Sequence, residues 1–256
     1  DRNSSIKRLL SWAQTTYYSI GRVLIYLLAA ALAGDWKTII KRLLGIKSFF
    51  TQALSAGVSH YLVYYLDKEL AGCDSVLDLG CGTSSWVQVC SIPYSVGVEV
   101  FRPYLQESKR KGLHTQYIQA DVRNIEFKEG SFDAVIASDV IEHLTKEEGY
   151  RLIQNMERWA KKKVIISTPK GYVHQDRSID SNPFQRHMSG WDIAELEQLG
   201  FKVYGARGWQ ALKDHEGEKV KFKPEIFWQT ISNLTSVVLH RFPAFSVALF
   251  CVKVIK

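Results

Sequence analysis

Cysteine is scarce and scattered. The 256 residues hold four, Cys73, Cys81, Cys90 and Cys251, and no two of them form a C-x-x-C pair. That spacing supports neither a disulfide framework nor a cysteine-built zinc site, and makes a reducing, cytoplasmic compartment the expectation. Long apolar runs are missing too. The longest, Val23–Ala33, has eleven residues, short of the roughly 18–20 that cross a bilayer, so a multi-span membrane protein is excluded. The chain does not lack a core. It is 46% hydrophobic, 12% aromatic and 23% charged, which excludes a wholly disordered chain, and its length fits one large domain or two small ones. It begins at Asp1 rather than Met, so a trimmed or processed form is expected.

Acidic residues are in deficit, and the deficit is local. The formal charge of +7 invites a nucleic-acid reading. Residues 1–50, however, hold eight basic and two acidic residues, and residues 212–256 hold seven and four. The stretch between, 51–211, holds eighteen basic and twenty acidic residues. The basic excess belongs to the flanks.

Residues 1–50 read as a helical, basic, amphipathic extension. A signal peptide ending at A-L-A-G conflicts with the long region before the apolar run. From Asp35 to Leu44 the apolar residues Trp36, Ile39, Ile40, Leu43 and Leu44 share one helical face, opposite Lys37, Lys41 and Arg42. An apolar helix followed by a basic amphipathic one suits peripheral membrane contact through residues 1–47. It equally suits a cap or substrate lid on the domain.

From about residue 75 short β-branched runs alternate with helical stretches. Strands are expected at Ser75–Leu79, Val96–Val100, Thr115–Gln119, Phe132–Ala137 and Val164–Thr168. Helices are expected near Ser84–Cys90, Arg102–Lys111 and Thr145–Ala160, the last opened by a Thr145/Glu148 capping box. Such alternation predicts an α/β fold with a doubly wound, mainly parallel sheet, whose ligands bind beyond the carboxyl ends of the strands. The first strand leads into Asp78-Leu79-Gly80-Cys81-Gly82-Thr83-Ser84-Ser85. Two glycines allow a tight turn and close approach of a ligand, but Ser85 stands where a full dinucleotide fingerprint has its third glycine. Glu99 ends the second strand, nineteen residues after Gly80, where a carboxylate can accept from both ribose hydroxyls. Asp121 follows the third strand, within reach of an exocyclic adenine amine. One such acid is ordinarily a solvated loop residue; three acids at three successive strand ends, beside a glycine turn, form a pattern.

The segments Val76–Ser84 (V-L-D-L-G-C-G-T-S), Val96–Val100 (V-G-V-E-V), Gln119–Val122 (Q-A-D-V), Phe132–Leu144 (F-D-A-V-I-A-S-D-V-I-E-H-L) and Ser167–Gly171 (S-T-P-K-G) resemble the successive motifs of class I S-adenosylmethionine-dependent methyltransferases. Within that class the chain is similar to the ubiquinone-biosynthesis type and to bacterial methyltransferases of sugar and lipid pathways. The resemblance covers about residues 50–256. It implies a Rossmann-like, seven-stranded sheet with an antiparallel last strand, for which Lys202–Gly208 and Ser246–Val254 can supply the final two. It also implies S-adenosyl-L-methionine as cofactor. Asp78 and the Gly80-Cys81-Gly82 turn would hold its methionine part, Glu99 its ribose, Val100 or Phe101 would lie against its adenine, Asp121 and Val122 would meet the adenine edge, and Ser138 would border the sulfonium.

An oxygen acceptor needs a base or a metal to help remove its proton. Candidates cluster after the fourth strand, as Asp139, Glu142 and His143, with His187 downstream. Glu142, His143 and His187 read as catalytic candidates, with either histidine as general base. The spacing D-x-x-E-H with a later histidine also resembles the divalent-metal site of small-RNA 2′-O-methyltransferases. On that resemblance Asp139, Glu142, His143 and His187 would hold magnesium, manganese or zinc, although the family's further histidine is replaced by Ser189. The bland alternative is that these residues only orient the loop.

Residues 209–243 read as a helical lid insertion in a methyltransferase domain spanning 51–256, charged over Lys213–Lys223 and apolar over Pro224–Pro243. A core helix covering the sheet edge is the competing reading. The leading expectation is methyl transfer to an oxygen of a small, hydrophobic or lipid-linked acceptor, in the cytoplasm or at a membrane surface, with no nucleic-acid partner. The alternatives are a metal-dependent RNA 2′-O-methyltransferase and a non-catalytic cofactor-binding partner protein.

Overall fold

The computed structural model describes residues 60–175, 182–214 and 219–256. The expectations for residues 1–50 and for Val23–Ala33 and Asp35–Leu44 lie outside the described residues. Among those described, no helix is long and apolar enough to cross a membrane.

Seven strands form one sheet: β1 (Ser75–Leu79), β2 (Tyr94–Glu99), β3 (Gln116–Gln119), β4 (Phe132–Ser138), β5 (Ala160–Pro169), β6 (Lys202–Trp209) and β7 (Ser246–Val254), in the order β3-β2-β1-β4-β5-β7-β6. The pairs from β3 through β5 are parallel, and β7 runs antiparallel to both β5 and β6. β6 therefore points the same way as β1, and its carboxyl end lies at the same sheet edge as Leu79, Glu99 and Ser138. Strand order reverses between β1 and β4, the position at which sheets of this kind receive their ligands.

The period of two along each strand sorts side chains onto two cores. Leu77, Leu79, Val135 and Ala137 point to one face with Met156, Trp159 and Trp191. Val76, Ala134, Ile136, Ile165, Ala248 and Phe250 point to the other with Leu62, Leu66 and Val237. Helices α1 (His60–Glu69), α2 (Arg102–Lys111), α3 (Lys146–Trp159), α4 (Ile193–Gln198) and α5 (Glu225–Leu239) flank the sheet. The capping box of α3 is formed: Thr145 Oγ1 accepts from Glu148 N at 3.3 Å, and a Glu148 carboxylate oxygen accepts from Thr145 N at 2.9 Å. The helix expected over Ser84–Cys90 is instead a single 3₁₀ turn, Trp86–Val89, flanked by extended backbone at Ser85 and Cys90. The Ser85 hydroxyl starts it, and the valines at 87 and 89 suit extended backbone better than a helix.

Helix α5 packs on β6 at two glycines. A Cβ on Gly208 would lie 2.4 Å from Ser232 Oγ, and one on Gly205 would lie 2.2 Å from the Leu239 carbonyl oxygen. The helix thus runs antiparallel to β6. Its first turn, seven residues before Ser232, projects roughly 10 Å further, beyond the strand's carboxyl end. At its other end His240 stacks between Tyr65 and Tyr204, with ring centroids at 3.6 and 4.3 Å.

Burial holds His240 down to a pKa of about 3. The unfolded chain takes up a proton near pH 6.5 that the folded chain refuses, so stability falls as pH drops below about 6.5, by up to about 1.4 kcal/mol per unit. Denaturant titrations at pH 7, 6 and 5 should show His240→Phe, which keeps the stack, falling less steeply than the wild type. Equal slopes would remove His240 as the cause.

Candidate active site

The glycine turn is built for close approach. Gly80 and Gly82 have φ of 64° and 54°, in the left-handed region that disfavours side chains. A Cβ at Gly80 would strike Val140 Cγ2 at 2.5 Å, whereas at Gly82 the nearest atom is 4.0 Å away, so the turn has open space above it. Asp78 faces inward. It accepts from Ser85 Oγ at 2.5 Å and lies 3.3 Å from Nε2 of the buried His114, tying the two ends of the turn together. Between the glycines Cys81 N donates to the Val98 carbonyl at 3.0 Å, and burial pushes its thiol up, which keeps it a neutral packing group. All four cysteines are buried free thiols.

Glu99 is buried at the end of β2. Its carboxylate accepts from Gly82 N at 3.1 Å and from Phe101 N at 2.8 Å. Burial nonetheless raises its pKa, because the backbone amides around it replace less hydration than was removed. A buried carboxylate that holds the turn at this strand end is a fitting receiver for ribose hydroxyls. Val100 follows it at the edge. Val122 is buried, while Asp121 is gripped by Arg123, whose Nη2 approaches to 2.6 Å, and this pairing lowers the Asp121 pKa. Ser138 closes β4, half-buried, opposite Ser167 of β5.

Beyond Ser138 the chain makes a 3₁₀ turn, Ile141–His143. Here the structure unites three of the four sequence-flagged ligands. Donor atoms of Glu142, His143 and His187 all lie within 4.8 Å of one another. His143 Nδ1 is 3.1 Å from the Arg186 carbonyl, and His187 Nδ1 is 2.7 Å from the Val173 carbonyl. A carbonyl only accepts, so in each neutral ring Nδ1 carries the proton and Nε2 keeps its lone pair. Glu142 is buried and accepts from Thr168 Oγ1 at 3.0 Å. Burial, and secondarily the Asp139 carboxylate, push its pKa up to about 8. Burial also holds His143 below the usual histidine range.

Asp139 stands apart from that trio. Its carboxylate pairs with Arg207, on β6. Both residues are non-glycine and left-handed, with φ of 55° and 62°. Each such residue costs about 1–3 kcal/mol, whereas an ion pair between side chains 38% and 39% exposed returns about 0–1 kcal/mol. The pair does not account for its own strain.

His187 reaches His143 because its segment is strapped down. Met188 N and Ser189 N both donate to the Glu142 carbonyl, at 2.7 and 3.1 Å. The Ile141 carbonyl accepts from Ser189 Oγ at 3.1 Å and from Trp191 Nε1 at 3.2 Å. The serine standing where the resemblance has a histidine is thus part of the strap. Trp191 fits because Gly149 has no Cβ; one would lie 2.4 Å from the indole. Ser85, His114, Thr168, Trp191 and Arg207 are not among the site residues expected from sequence. The Arg207-Gly208 pair inside a strand pattern was a bulge signal.

Comparison with known proteins gives partial matches. Residues 77–167 match the family described as Methyltransferase domain. The mouse and human (Mus musculus, Homo sapiens) proteins named Probable tRNA methyltransferase 9B are 33% and 32% identical over 84 residues, 32% of this chain and 18% of each of those proteins. A SAM dependent methyltransferase from Archaeoglobus fulgidus superposes with a TM-score of 0.48 at 19% identity, over 77% of this chain and 95% of that one. The Methyltransferase-domain match thus lies on strands β1 to β5 of a seven-stranded α/β sheet whose order and one antiparallel strand are those the sequence resemblance implied. The chain spans only 18% of the length of the curated relatives it matches.

Glu99→Ala is expected to weaken S-adenosylmethionine binding by about 1.5–3 kcal/mol, from the loss of charge-assisted hydrogen bonds to the ribose and of the tie on Gly82. Calorimetry of wild type and variant reads this directly; equal affinity would take Glu99 out of the cofactor site.

Proposed function

We propose that the protein transfers a methyl group from S-adenosylmethionine to an oxygen of a small, hydrophobic or lipid-linked acceptor. The observation that carries this reading is the Glu142/His143/His187 cluster, formed by the turn that follows Ser138 and the strapped segment at His187, at the edge that also holds the glycine turn and Glu99. When bound, S-adenosylmethionine supplies an electrophilic methyl group. The chain itself must hold the acceptor in line with that group and remove the acceptor's proton. His143 suits the proton transfer. Burial keeps it neutral, and the Arg186 carbonyl fixes its proton on Nδ1 so that Nε2 can accept. Thr168 holds Glu142 beneath it.

The apolar acceptor is supported by α5. Its projecting first turn carries Phe227 and Trp228, with Phe222 just before it, in mutual contact at ring-centroid distances of 5.1 and 5.3 Å. Phe222 and Phe227 are exposed, which is costly without an occupant or a covering surface. Peripheral membrane contact through residues 1–47 is the companion proposal.

A second reading of the same cluster has a specific observation behind it. Two histidines that each donate Nδ1–H to a backbone carbonyl, with a carboxylate between them, are arranged as metal ligands are oriented. Glu142, His143 and His187 would then hold zinc or manganese with positions open for the acceptor, and the metal would supply Lewis-acid activation. Asp139, occupied by Arg207, is left out of that set. RNA as acceptor is a further proposal, prompted by the name of the curated relatives.

The deciding experiment is methyl-donor turnover on a panel of alkyl and prenyl phenols, lipids and tRNA, with and without excess chelator. Turnover on hydrophobic hydroxyl acceptors is expected, with His143→Ala lowering kcat by about 10²–10⁴-fold. Full activity in chelator would exclude the metal, and turnover confined to tRNA would overturn the acceptor class.

A further inference from the structure

We propose that Arg207, backed by Lys213, recognises an oxyanion on the acceptor, so that the preferred substrate is an amphiphile carrying a carboxylate or phosphate group. The proposal rests on the reading above that the acceptor binds at the carboxyl edge.

Position comes first. β6 lies three places from β4 in the sheet, with β5 and β7 between them. Yet Arg207, at the carboxyl end of β6, pairs with Asp139, immediately after β4. The two side chains therefore reach toward each other over the ends of β5 and β7. That is the half of the edge opposite the glycine turn and Glu99, beside Glu142 and His143. An acceptor presenting its oxygen to His143 would meet the guanidinium.

Chemistry comes second. Both members of the pair are about two-fifths exposed, so an arriving anion can reach the planar guanidinium fork, which matches a carboxylate or phosphate in a bidentate manner. Asp139 keeps one oxygen on Arg207, while its Oδ1 is buried with no hydrogen-bond partner. Its carboxylate is thus an incompletely satisfied stand-in that a better anion can displace. Lys213 is buried, its ammonium hydrogen-bonded to the neutral Gln229 side chain at 3.0 Å. Burial lowers its pKa; the adjacent Asp214 carboxylate opposes that shift, and Arg207, close enough to be felt, adds to it.

The third observation is backbone. Arg207 is left-handed at a β-bulge between Ala206 and Trp209, and Gly208 beside it is wedged against Ser232 of α5. The insertion therefore holds Arg207 in a conformation it would not choose, and the same helix raises the Phe222/Phe227/Trp228 cluster above the edge. One element supplies both the apolar wall and the anchored cation, the arrangement an amphiphile needs.

The test uses decyl phosphate, decanoate and decanol as probes, titrated into the full chain saturated with S-adenosylhomocysteine. At least one anion should bind ten-fold or more tighter than decanol, and the stronger of the two names the group. Arg207→Gln should abolish that preference while leaving cofactor affinity unchanged, and Arg207→Lys should restore part of it. Asp139→Asn removes the competing carboxylate and should tighten anion binding several-fold, a change of sign that a purely structural ion pair would not give. Equal binding of all three probes by the wild type, or a preference surviving in Arg207→Gln, overturns the proposal. Should Arg207→Gln not fold, the Asp139→Asn result decides alone. Failure of the methyltransferase reading would appear separately, as an absence of turnover on every acceptor of the panel.

Discussion

Two backbone carbonyls, those of Ile141 and Glu142, hold the site together. Between them they accept from Met188 N, Ser189 N, Ser189 Oγ and Trp191 Nε1. Through these bonds a short turn after β4 captures a segment more than forty residues further along the chain. Without the clamp His187 has no reason to stand beside His143, and the Arg186 carbonyl that sets the His143 tautomer goes with it. The clamp is itself secured from below. Trp191 is fully buried against the bare face of α3 at Gly149 and covered by the Lys146 ammonium at 3.7 Å from the ring. Glycine inside a helix costs about 1 kcal/mol relative to alanine; here that cost makes room for an indole that organises the site.

The clamp also explains the electrostatics. Drawing the turn into the protein buries Glu142, and burial is the first cause of its raised pKa. A carboxyl so placed is expensive to ionise unless a cation, a metal or a proton accompanies it. Each account of the cluster, as base or as metal site, answers that same demand. Glu99, at the other half of the edge, is buried as well, but two backbone amides hold its carboxylate. The two acids are alike in burial and differ in their partners, and that difference separates an acid suited to receive hydroxyl groups from one suited to hold a proton or an ion.

Much of this was legible in the chain because it is local. The period-two runs, the glycine turn, the acids at strand ends and the Thr145/Glu148 box all lie within spans of a few residues. The structure returns β1 and α2 with the boundaries read from sequence. The misreading of Ser84–Cys90 is local too: its apolar residues have helical spacing, but a serine cap and β-branched valines limit it to one 3₁₀ turn. What was hidden is non-local. Asp139 looked like a fourth ligand because it sits three residues before Glu142, a reading that sequence spacing alone allows. Its partner Arg207 lies 68 residues away, and only the return of β6 parallel to β4 puts the two at one edge. Likewise Ser189 looked like a missing histidine until its hydroxyl was seen to serve the Ile141 carbonyl.

The charge distribution follows the same division of the edge. The excess of +7 is carried by the flanks, and residues 51–211, which contain the glycine turn, Glu99 and the histidine cluster, are slightly acidic. Arg207 is a cation of that acidic middle, and Lys213 opens the basic C-terminal flank. Both sit where strand β6 hands over to the segment preceding α5. A cation moved from this corner to the solvated face of a helix would leave the net charge unchanged and would not pair with Asp139. Its position is fixed by the bulge at Arg207-Gly208, and the bulge by the contact of Gly208 with Ser232. Backbone geometry thus singles out a charge that composition hides in a slightly acidic stretch.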